Sequence, residues 1–436
     1  MSKKIHFVGI GGIGVSSLAR HYLETGNDVR GSDVNPSEEL EKEGAIIFKG
    51  HSENNVSAET DVLIHSSAVS LNNPEVQKAK KLGIKIQSYP EALGEVTRNY
   101  FTIAVSGTHG KSTTTGMLAL ILIKGGLDPT VIIGTKMKEF GNRNYRKGRS
   151  EYLLIEADEH KGAFLNYFPK VAVINNIEED HLDYYKDIED ILSTFGKYIE
   201  ANLSDGTLII NTDDENSRKV KERITKENVI GYSLQEEDAK SIELSVPGKH
   251  NLGNALAALK VGDHLGIKKG KTLQALKEFK GTWRRFDEKD VILRNGKSVR
   301  IINDYAHHPT AIKATLEAVK EKYPKKKVVA VFQPHQYERT YSLFAGFKKV
   351  LRQASTDKLI ITDIYTVKGR ESEEIMRKVS AEKLVEEVGK AVYTGDLEAT
   401  GEYLLKNLHG KEILVIMGAG DVYDLGGYIE KVRNNS

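Results

Sequence analysis

The sequence has no cysteine among its 436 residues. Disulfides, thiolate nucleophiles and cysteine-ligated zinc are therefore excluded. It also lacks an excess of either charge: 63 basic and 61 acidic residues leave a net charge of +2. That balance gives no electrostatic footprint for nucleic acid or for a membrane surface. No apolar run reaches the ~18 residues of a membrane helix. Low-complexity tracts are absent, and so is any repeat in the solenoid range. The opening, MSKKIHFVGIGGIG, carries lysines and an apolar stretch, but His6 interrupts it and glycines follow. It reads as a first strand and not as a signal peptide. A cytoplasmic protein is expected.

What is present is ordinary for a globular chain, with 39% hydrophobic and 28% charged residues. The length exceeds what one core serves, so two to three domains are expected. The most informative stretch is Phe101 to Leu122, FTIAVSGTHGKSTTTGMLALIL. Phe101 to Val105 reads as a buried strand. Gly107, Thr108, His109 and Gly110 form a turn, and Lys111, Ser112 and Thr113 open a helix. This is the layout of a phosphate-binding loop, although Val105 stands where the full pattern has its first glycine. Backbone N–H groups and the helix N-terminus would face the phosphates. Lys111 would add a point charge and Ser112 a ligand for Mg²⁺. A plain strand–helix turn with a chance Lys-Ser is the alternative.

Before that loop the chain alternates strand and helix. Lys4 to Ile10 is a strand, Gly9, Gly11, Gly12 and Gly14 punctuate a turn, and Val15 to Thr25 is a helix. A second strand ends at Asp33. The pattern reports binding of a diphosphate, with NAD one ligand and a nucleotide-sugar another. Asp61 to His65 is a strand that ends in Ser66 and Ser67, hydroxyls for a ligand or for the turn itself. Tyr89-Pro90 and the polar Thr97-Arg98-Asn99 read as a linker.

After the loop, Thr130 to Gly134 is a strand and the basic segment Lys138 to Arg149 an exposed loop. Strands Tyr152 to Ile155 and Lys170 to Asn175 deliver Glu156-Ala157-Asp158-Glu159 and Asn176-Ile177-Glu178-Glu179-Asp180-His181. Singly these acids are turn residues. Together, behind a phosphate loop, they are the hard oxygen donors that Mg²⁺–ATP chemistry needs. Asn251 and Asn254, three apart, share a helix face if helical and could read an adenine edge or cap the helix. Gly281-Thr282-Trp283-Arg284-Arg285-Phe286 closes the region. A further βα domain follows, its strands ending in Asp304-Tyr305-Ala306-His307-His308, Gln333-Pro334-His335-Gln336-Tyr337-Glu338-Arg339 and Gly418-Ala419-Gly420-Asp421. Clusters of this kind on loops carry function more than stability.

In this order the motifs GIGGIGVSSLA, SGTHGKSTTT, EADE, NIEEDHLDYY, PGKHNLGNALAA, GTWRRF, NDYAHHPTAI, FQPHQYERT and IMGAGDVYDL resemble those of the Mur ligase family over nearly the whole chain. That family's loop lacks the first glycine, which accounts for Val105. The resemblance implies an α/β fold of three domains: residues 1–98, Rossmann-like, for a UDP-sugar; residues 99–286, a P-loop ATPase with a mostly parallel sheet; residues 287–436, Rossmann-like, for an amino acid. It implies ATP-dependent joining of L-alanine to UDP-N-acetylmuramate through an acyl phosphate, for peptidoglycan, by a monomer or weak homodimer. Joining of a recycled peptide is the alternative within the family. A nicotinamide dehydrogenase is the alternative from the glycine turn alone. By motif, Lys111 would contact the transferring phosphate, and Ser112, Glu156 and His181 would hold two Mg²⁺ ions. Asn251, Asn254, Arg285 and Asp304 would face the nucleotide. Gly11, Gly12, Gly14, Asp33 and Ser67 would hold the UDP-sugar, and Tyr305, His307, His335 and Arg339 the amino acid. Two departures stand out. His160 and Lys161 follow Glu159 where the family has Ser-Asp, and Gln336 replaces an arginine, leaving Arg339 as the main partner for a carboxylate. Lys197 lies near the place where related ligases carry a carbamylated lysine.

Overall fold

The computed structural model describes residues 2–36, 38–367 and 371–430. Three parallel-rich sheets organise them. The first comprises β1 (Lys4–Val8), β2 (Asp28–Asp33), β3 (Ile46–Lys49), β4 (Val62–His65) and β5 (Lys85–Ser88), all parallel in the order β3-β2-β1-β4-β5. This is the doubly wound order, with its switch point between β1 and β4. The second comprises β6 (Phe101–Ser106), β7 (Thr130–Met137), β8 (Arg143–Arg146), β9 (Tyr152–Glu156), β10 (Val171–Ile174), β11 (Thr207–Asn211) and β12 (Val229–Tyr232). Its order is β12-β11-β10-β6-β9-β7-β8, with only β8 antiparallel. The third comprises β13 (Asp287–Ile292), β14 (Ser298–Asp304), β15 (Val328–Phe332), β16 (Lys358–Ile361), β17 (Ala391–Tyr393) and β18 (Ile413–Met417), in the order β13-β14-β18-β15-β16-β17 with β13 antiparallel.

The apolar runs form central strands because both faces of such a sheet are covered. In the third sheet Ile302, Ala330, Phe332, Val415 and Met417 join one core, and the alternate residues Ile301, Val329, Val331, Leu414 and Ile416 join the other. The helix after β6, Lys111–Gly125, is buried from Ser112 to Ala119, so it is a core helix with no polar face to spare. The chain divides into two compact units. The first holds the residues up to Glu178 with Glu189–Glu243 and Gly253–Phe279, and so the first two sheets. The second holds Glu179–Ile188, Leu244–Leu252 and the chain from Lys280 on. Among the described residues no helix is long and apolar enough to cross a membrane.

Two local expectations are corrected. The expected linker at Tyr89-Pro90 is a helix, Tyr89–Thr97, started by a capping box: Ser88 accepts from the Glu91 N–H, and the Glu91 carboxylate accepts the Ser88 N–H at 2.7 Å. Proline in a first turn belongs to this signature, since its missing N–H has no helical partner there. The expected exposed loop Lys138 to Arg149 contains β8, with Asn144 and Tyr145 buried. Its flanking arginines conceal the strand in composition, as charges on an edge strand do. Asn251 and Asn254 do lie on one helix, Lys249–His264.

One buried charge ties the first sheet together. Glu75 is fully buried and accepts from His6 at 2.9 Å, Ser32 at 2.6 Å, Asn55 at 2.7 Å and the Ser52 N–H at 3.0 Å. Ser32 in turn gives its carbonyl to the Gly9 and Ile10 N–H groups, at the start of the glycine turn. Burial opposes the charge on Glu75, but the bonds from His6, Ser32, Asn55 and Ser52 prevail and hold its pKa below the usual carboxylate value. A depressed folded pKa means stabilisation that is complete above the unfolded carboxylate value and is lost as pH falls through the folded one. Glu75→Ala should therefore lower stability at pH 7 by about 3 kcal/mol, because several buried donors lose their acceptor. Urea unfolding followed by circular dichroism measures this, and a loss under about 1 kcal/mol would count against the network.

Candidate functional site

In the first unit the phosphate loop follows β6. Gly107 has φ +125° and Gly110 φ +83°. A Cβ on Gly107 would lie 2.9 Å from the Asn176 carbonyl, and one on Gly110 would lie 2.3 Å from Asn254 Oδ1, so glycine is required at both on two counts. The residues after β10 cradle the loop. The Thr108 N–H donates to the Asn176 carbonyl at 3.0 Å, and the His109 N–H to Asn176 Oδ1 at 2.8 Å. The Glu178 N–H donates to Thr108 Oγ1 at 2.8 Å, and Asn175 Nδ2 to Thr114 Oγ1 at 3.0 Å. Thr113 is buried in the helix's first turn.

Two acids from the end of β9 divide the work. Ser112 Oγ donates to Glu156 Oε2 at 3.0 Å, and Glu156 Oε1 accepts the Gly134 N–H of β7 at 2.7 Å. Lys111 Nζ donates to Glu159 Oε2 at 2.8 Å and to the Gly107 carbonyl at 2.7 Å, with Asp158 at 3.7 Å. Burial works against the Lys111 ammonium, but Glu159, Asp158 and Glu156 outweigh it and hold its pKa above the ordinary lysine value. Burial also pushes the Glu159 carboxyl up to about 7, against the pull of Lys111. Lys197 is exposed on the helix Ile188–Asn202, between the buried Phe195 and Tyr198.

The glycine turn after β1 lies in the same unit. Gly11 donates its N–H to Asp33 Oδ2 at 2.9 Å, and the extended Gly12 caps the helix Ile13–Glu24. A Cβ on Gly14 would stand 3.2 Å from the Tyr89 phenol oxygen. Ser67, after β4, is exposed.

The second unit gathers the remaining candidates. Arg339 donates through Nε to Asp180 Oδ1 at 3.0 Å, the two side chains being only 9% and 7% exposed. Its Nη1 reaches His335 Nδ1 at 3.3 Å and Gln336 Oε1 at 3.2 Å. Gln336 holds φ +67°, a costly backbone for a side chain, anchored by its N–H on the Tyr365 carbonyl at 2.9 Å. His335 stacks on Tyr365 and lies 6.1 Å, centroid to centroid, from His307, whose Nδ1 is 2.8 Å from the Tyr305 carbonyl oxygen. Burial opposes the Asp180 charge, but the Arg339 guanidinium beside it outweighs burial and holds its pKa well below the carboxylate range. Burial, then the Arg339 charge, holds His307 well below the usual imidazole value. Asp304 accepts from the Phe286 N–H at 2.8 Å and the Ala306 N–H at 2.9 Å. The Arg285 guanidinium lies over the Tyr305 ring at 4.8 Å. Arg284 donates to the Gly418 and Gly420 carbonyls. Asn251 donates to the Pro247 carbonyl at 2.7 Å, within this unit, whereas Asn254 belongs to the first. His181 also belongs to the second unit, its N–H on Asp180 Oδ1 at 2.8 Å.

The structure thus brings Lys111, Ser112, Glu156 and Asn254 together with the loop, and Tyr305, His307, His335 and Arg339 with each other. Sequence reading missed Glu159 as the partner of Lys111 and Asp180 as the partner of Arg339. Both stand inside motifs already singled out, but burial distinguishes them from the neighbouring acids and composition does not.

The Lys111–Glu159 pair has a pH consequence. Above about 7, Glu159 is anionic and competes with a phosphate for Lys111; below, it is neutral and the lysine is released. Affinity for a nucleoside triphosphate should fall as pH rises through 7 in the wild-type chain. Glu159→Gln should flatten that profile and tighten binding several-fold. Calorimetric titrations from pH 6 to 8.5 measure this, and parallel profiles for the two proteins would refute it.

Comparison with known proteins supplies the family. Residues 4–101 match the model of the Mur ligase family catalytic domain, residues 105–242 the Mur ligase middle domain, and residues 284–420 the Mur ligase glutamate ligase domain. The chain is 40% identical, over 98% of its length and 97% of the relative, to a UDP-N-acetylmuramate–L-alanine ligase of Clostridium kluyveri. It is 39% identical, over 97% of its length and 96% of the relative, to the protein of that name from Caldanaerobacter subterraneus. A crystal structure of UDP-N-acetylmuramate-alanine ligase from Thermotoga maritima superposes with a TM-score of 0.79 at 29% identity, covering 98% of this chain and 97% of that one. A murein peptide ligase from Psychrobacter arcticus shares the fold at 24% identity and a TM-score of 0.73, over 98% of each chain. Glycine turn, phosphate loop, paired acids and the Arg339 cluster thus sit in matched domains along one chain, which belongs to the Mur ligase family.

Proposed function

We propose that this protein is an ATP-dependent ligase that joins L-alanine to the carboxylate of UDP-N-acetylmuramate, in the synthesis of peptidoglycan precursors. The geometry that carries the reading is the corner where Lys111 and Ser112 open a buried helix, with Ser112 Oγ 3.0 Å from Glu156. The 40% identity to a ligase of this name over almost the whole chain supports the substrates. The domain limits we adopt are 1–98 for the UDP-sugar, 99–286 for ATP and 287–436 for the amino acid.

A carboxylate does not react with an amine until its oxygen is made a leaving group. Transfer of the γ-phosphoryl of ATP gives an acyl phosphate, which the amine displaces with release of phosphate. Such transfer asks the protein for position and charge neutralisation more than covalent help. Lys111 leaves Glu159 and faces the transferring phosphate. The loop N–H groups and the first turn of Lys111–Gly125 complete the anion site. The Ser112 and Glu156 oxygens are the hard donor set that Mg²⁺ takes, and His181 is our candidate for a second ion. Bound Mg²⁺ neutralises phosphate charge. The N-terminus of the helix Ile13–Glu24, with Gly11 and Gly12 before it and Gly14 in its first turn, receives the diphosphate of the sugar nucleotide, with Asp33 and Ser67 at adjacent strand ends. Asn251, Asn254, Arg285 and Asp304 serve the nucleotide of ATP.

On the amino-acid side, Asp180 fixes the plane of Arg339 through Nε. The alanine carboxylate then competes for Nη1 with Gln336 and His335, beside Tyr305 and a neutral His307. Use of ATP and a UDP-sugar fits work in the cytoplasm, by a monomer or weak homodimer.

ADP release in the presence of ATP, Mg²⁺ and UDP-N-acetylmuramate should rise on addition of L-alanine, and more than with glycine or serine. No stimulation by any of the three would refute the proposal. Arg339→Lys keeps the charge but loses the fork. It should raise the KM for alanine at least about tenfold while the KM for UDP-N-acetylmuramate stays put; equal changes in both would exclude the assigned role.

A further inference from the structure

The hairpin of β7 and β8 makes two kinds of contact inside the first unit. Through β7, the Gly134 N–H holds Glu156 at 2.7 Å. Through β8 it grips the helix Ile13–Glu24 from its first turn to its last. Asn144 is fully buried; its Nδ2 donates to the Ile13 carbonyl and, at 2.9 Å, to Ser16 Oγ, and its Oδ1 accepts from Arg20 Nη1. Tyr145 meets His21 edge-on at 6.0 Å, and Lys147 donates to the Glu24 carbonyl. Residues 13, 16, 20 and 24 are three and four apart, so they form one stripe of the helix.

Charges reinforce the grip. Arg20 is 3% exposed and held by Glu43 at 2.8 Å and Glu39 at 3.1 Å. The hairpin supplies counter-charges to the same acids, Lys136 to Glu39 at 3.2 Å and Arg143 to Glu43 at 3.4 Å. A cleft of about 360 Å³ opens here, lined by Gly11, Ile13, Ser16, Lys136 and Asn144 among others. The glycine turn and the hairpin therefore border one space. None of these hairpin residues stands in a motif with phosphate or metal chemistry.

We propose that Asn144 is a positioning residue for phosphoryl transfer. It holds the first turn of the diphosphate-facing helix to the hairpin that also holds Glu156, and so sets the spacing between the sugar nucleotide and the phosphate loop. The inference rests on the function proposed above. Each nucleotide keeps its own contacts if that spacing relaxes, so affinities survive. The reaction does not, because a misplacement of 1 Å costs on the order of 100-fold in rate. Only an amide meets all three bonds. A carboxylate keeps the bond to Arg20 but turns an acceptor toward the Ile13 carbonyl, and an apolar side chain keeps none.

The test uses the full chain with Asn144→Asp and Asn144→Ala. It reads kcat for alanine-dependent ADP release together with separate dissociation constants for UDP-N-acetylmuramate and ATP. Both variants should lose on the order of 100-fold in kcat, with each dissociation constant within about threefold of wild type. A folded variant with wild-type kcat overturns the inference. So does a loss that lies wholly in affinity for the sugar nucleotide, which a local structural role would give. If neither variant folds, Ser16→Ala, which removes one acceptor and opens little space, decides: a several-fold fall in kcat at unchanged KM supports the inference, and unchanged kcat overturns it. Wild-type chain that releases no ADP with this substrate pair refutes the proposed function itself, an outcome separate from failure in the variants alone.

Discussion

Parallel pairing decides where chemistry stands in this chain. A strand that pairs in parallel with its neighbour needs a crossover, so strand ends of like polarity collect along one edge of the sheet. In the first sheet this assembles Gly9 to Gly14 after β1, Asp33 at the end of β2 and Ser66 after β4. In the second it assembles the phosphate loop after β6, Glu156 at the end of β9 and Asn175 after β10. Residues far apart in sequence meet because each register is fixed by apolar side chains on both faces. A slip of one residue would turn every side chain over.

Buried charge is the second constraint. Taking an ion out of water costs several kcal/mol unless a partner and hydrogen bonds offset it. The protein meets that cost with pairs: Lys111 with Glu159, Asp180 with Arg339, Arg20 with Glu43. Each pair also fixes a side chain beside a turn or loop that the proposed reaction uses. Electrostatic compensation and positioning are thus the same contacts. Removing either partner leaves an uncompensated charge as well as a misplaced group.

Central strands of all three sheets and the glycine turns were legible because apolar runs and clustered glycines are local signals, whereas no strand was expected at the sheet edges β3, β13 and β17. The family motifs then supplied the order of the domains. The helix Tyr89–Thr97 was hidden because proline reads as a break unless the Ser88 to Glu91 box is recognised. Strand β8 was hidden because its four residues begin and end with arginine and carry no hydrophobic period. In the candidate site, Lys111, Ser112 and Glu156 could be picked from the loop pattern and a strand end. Glu159 and Asp180 could not, since in sequence they differ from Asp158 and Glu179 by a position and in the structure by burial. Asn144 had no signal at all, for its partners lie in the first helix, more than a hundred residues earlier.

The lysine of the phosphate loop is held from two sides. It is already engaged by Glu159 and by the Gly107 carbonyl. An incoming anion must therefore outcompete an acid tethered in place. Free inorganic phosphate, which offers little beyond charge, faces that internal rival with few contacts of its own. A nucleotide brings a base, a ribose and a chain of phosphates, and each adds binding that the tethered acid cannot match. Within the proposed function the pair sets an entry threshold, which reserves the loop's lysine for ligands large enough to belong there.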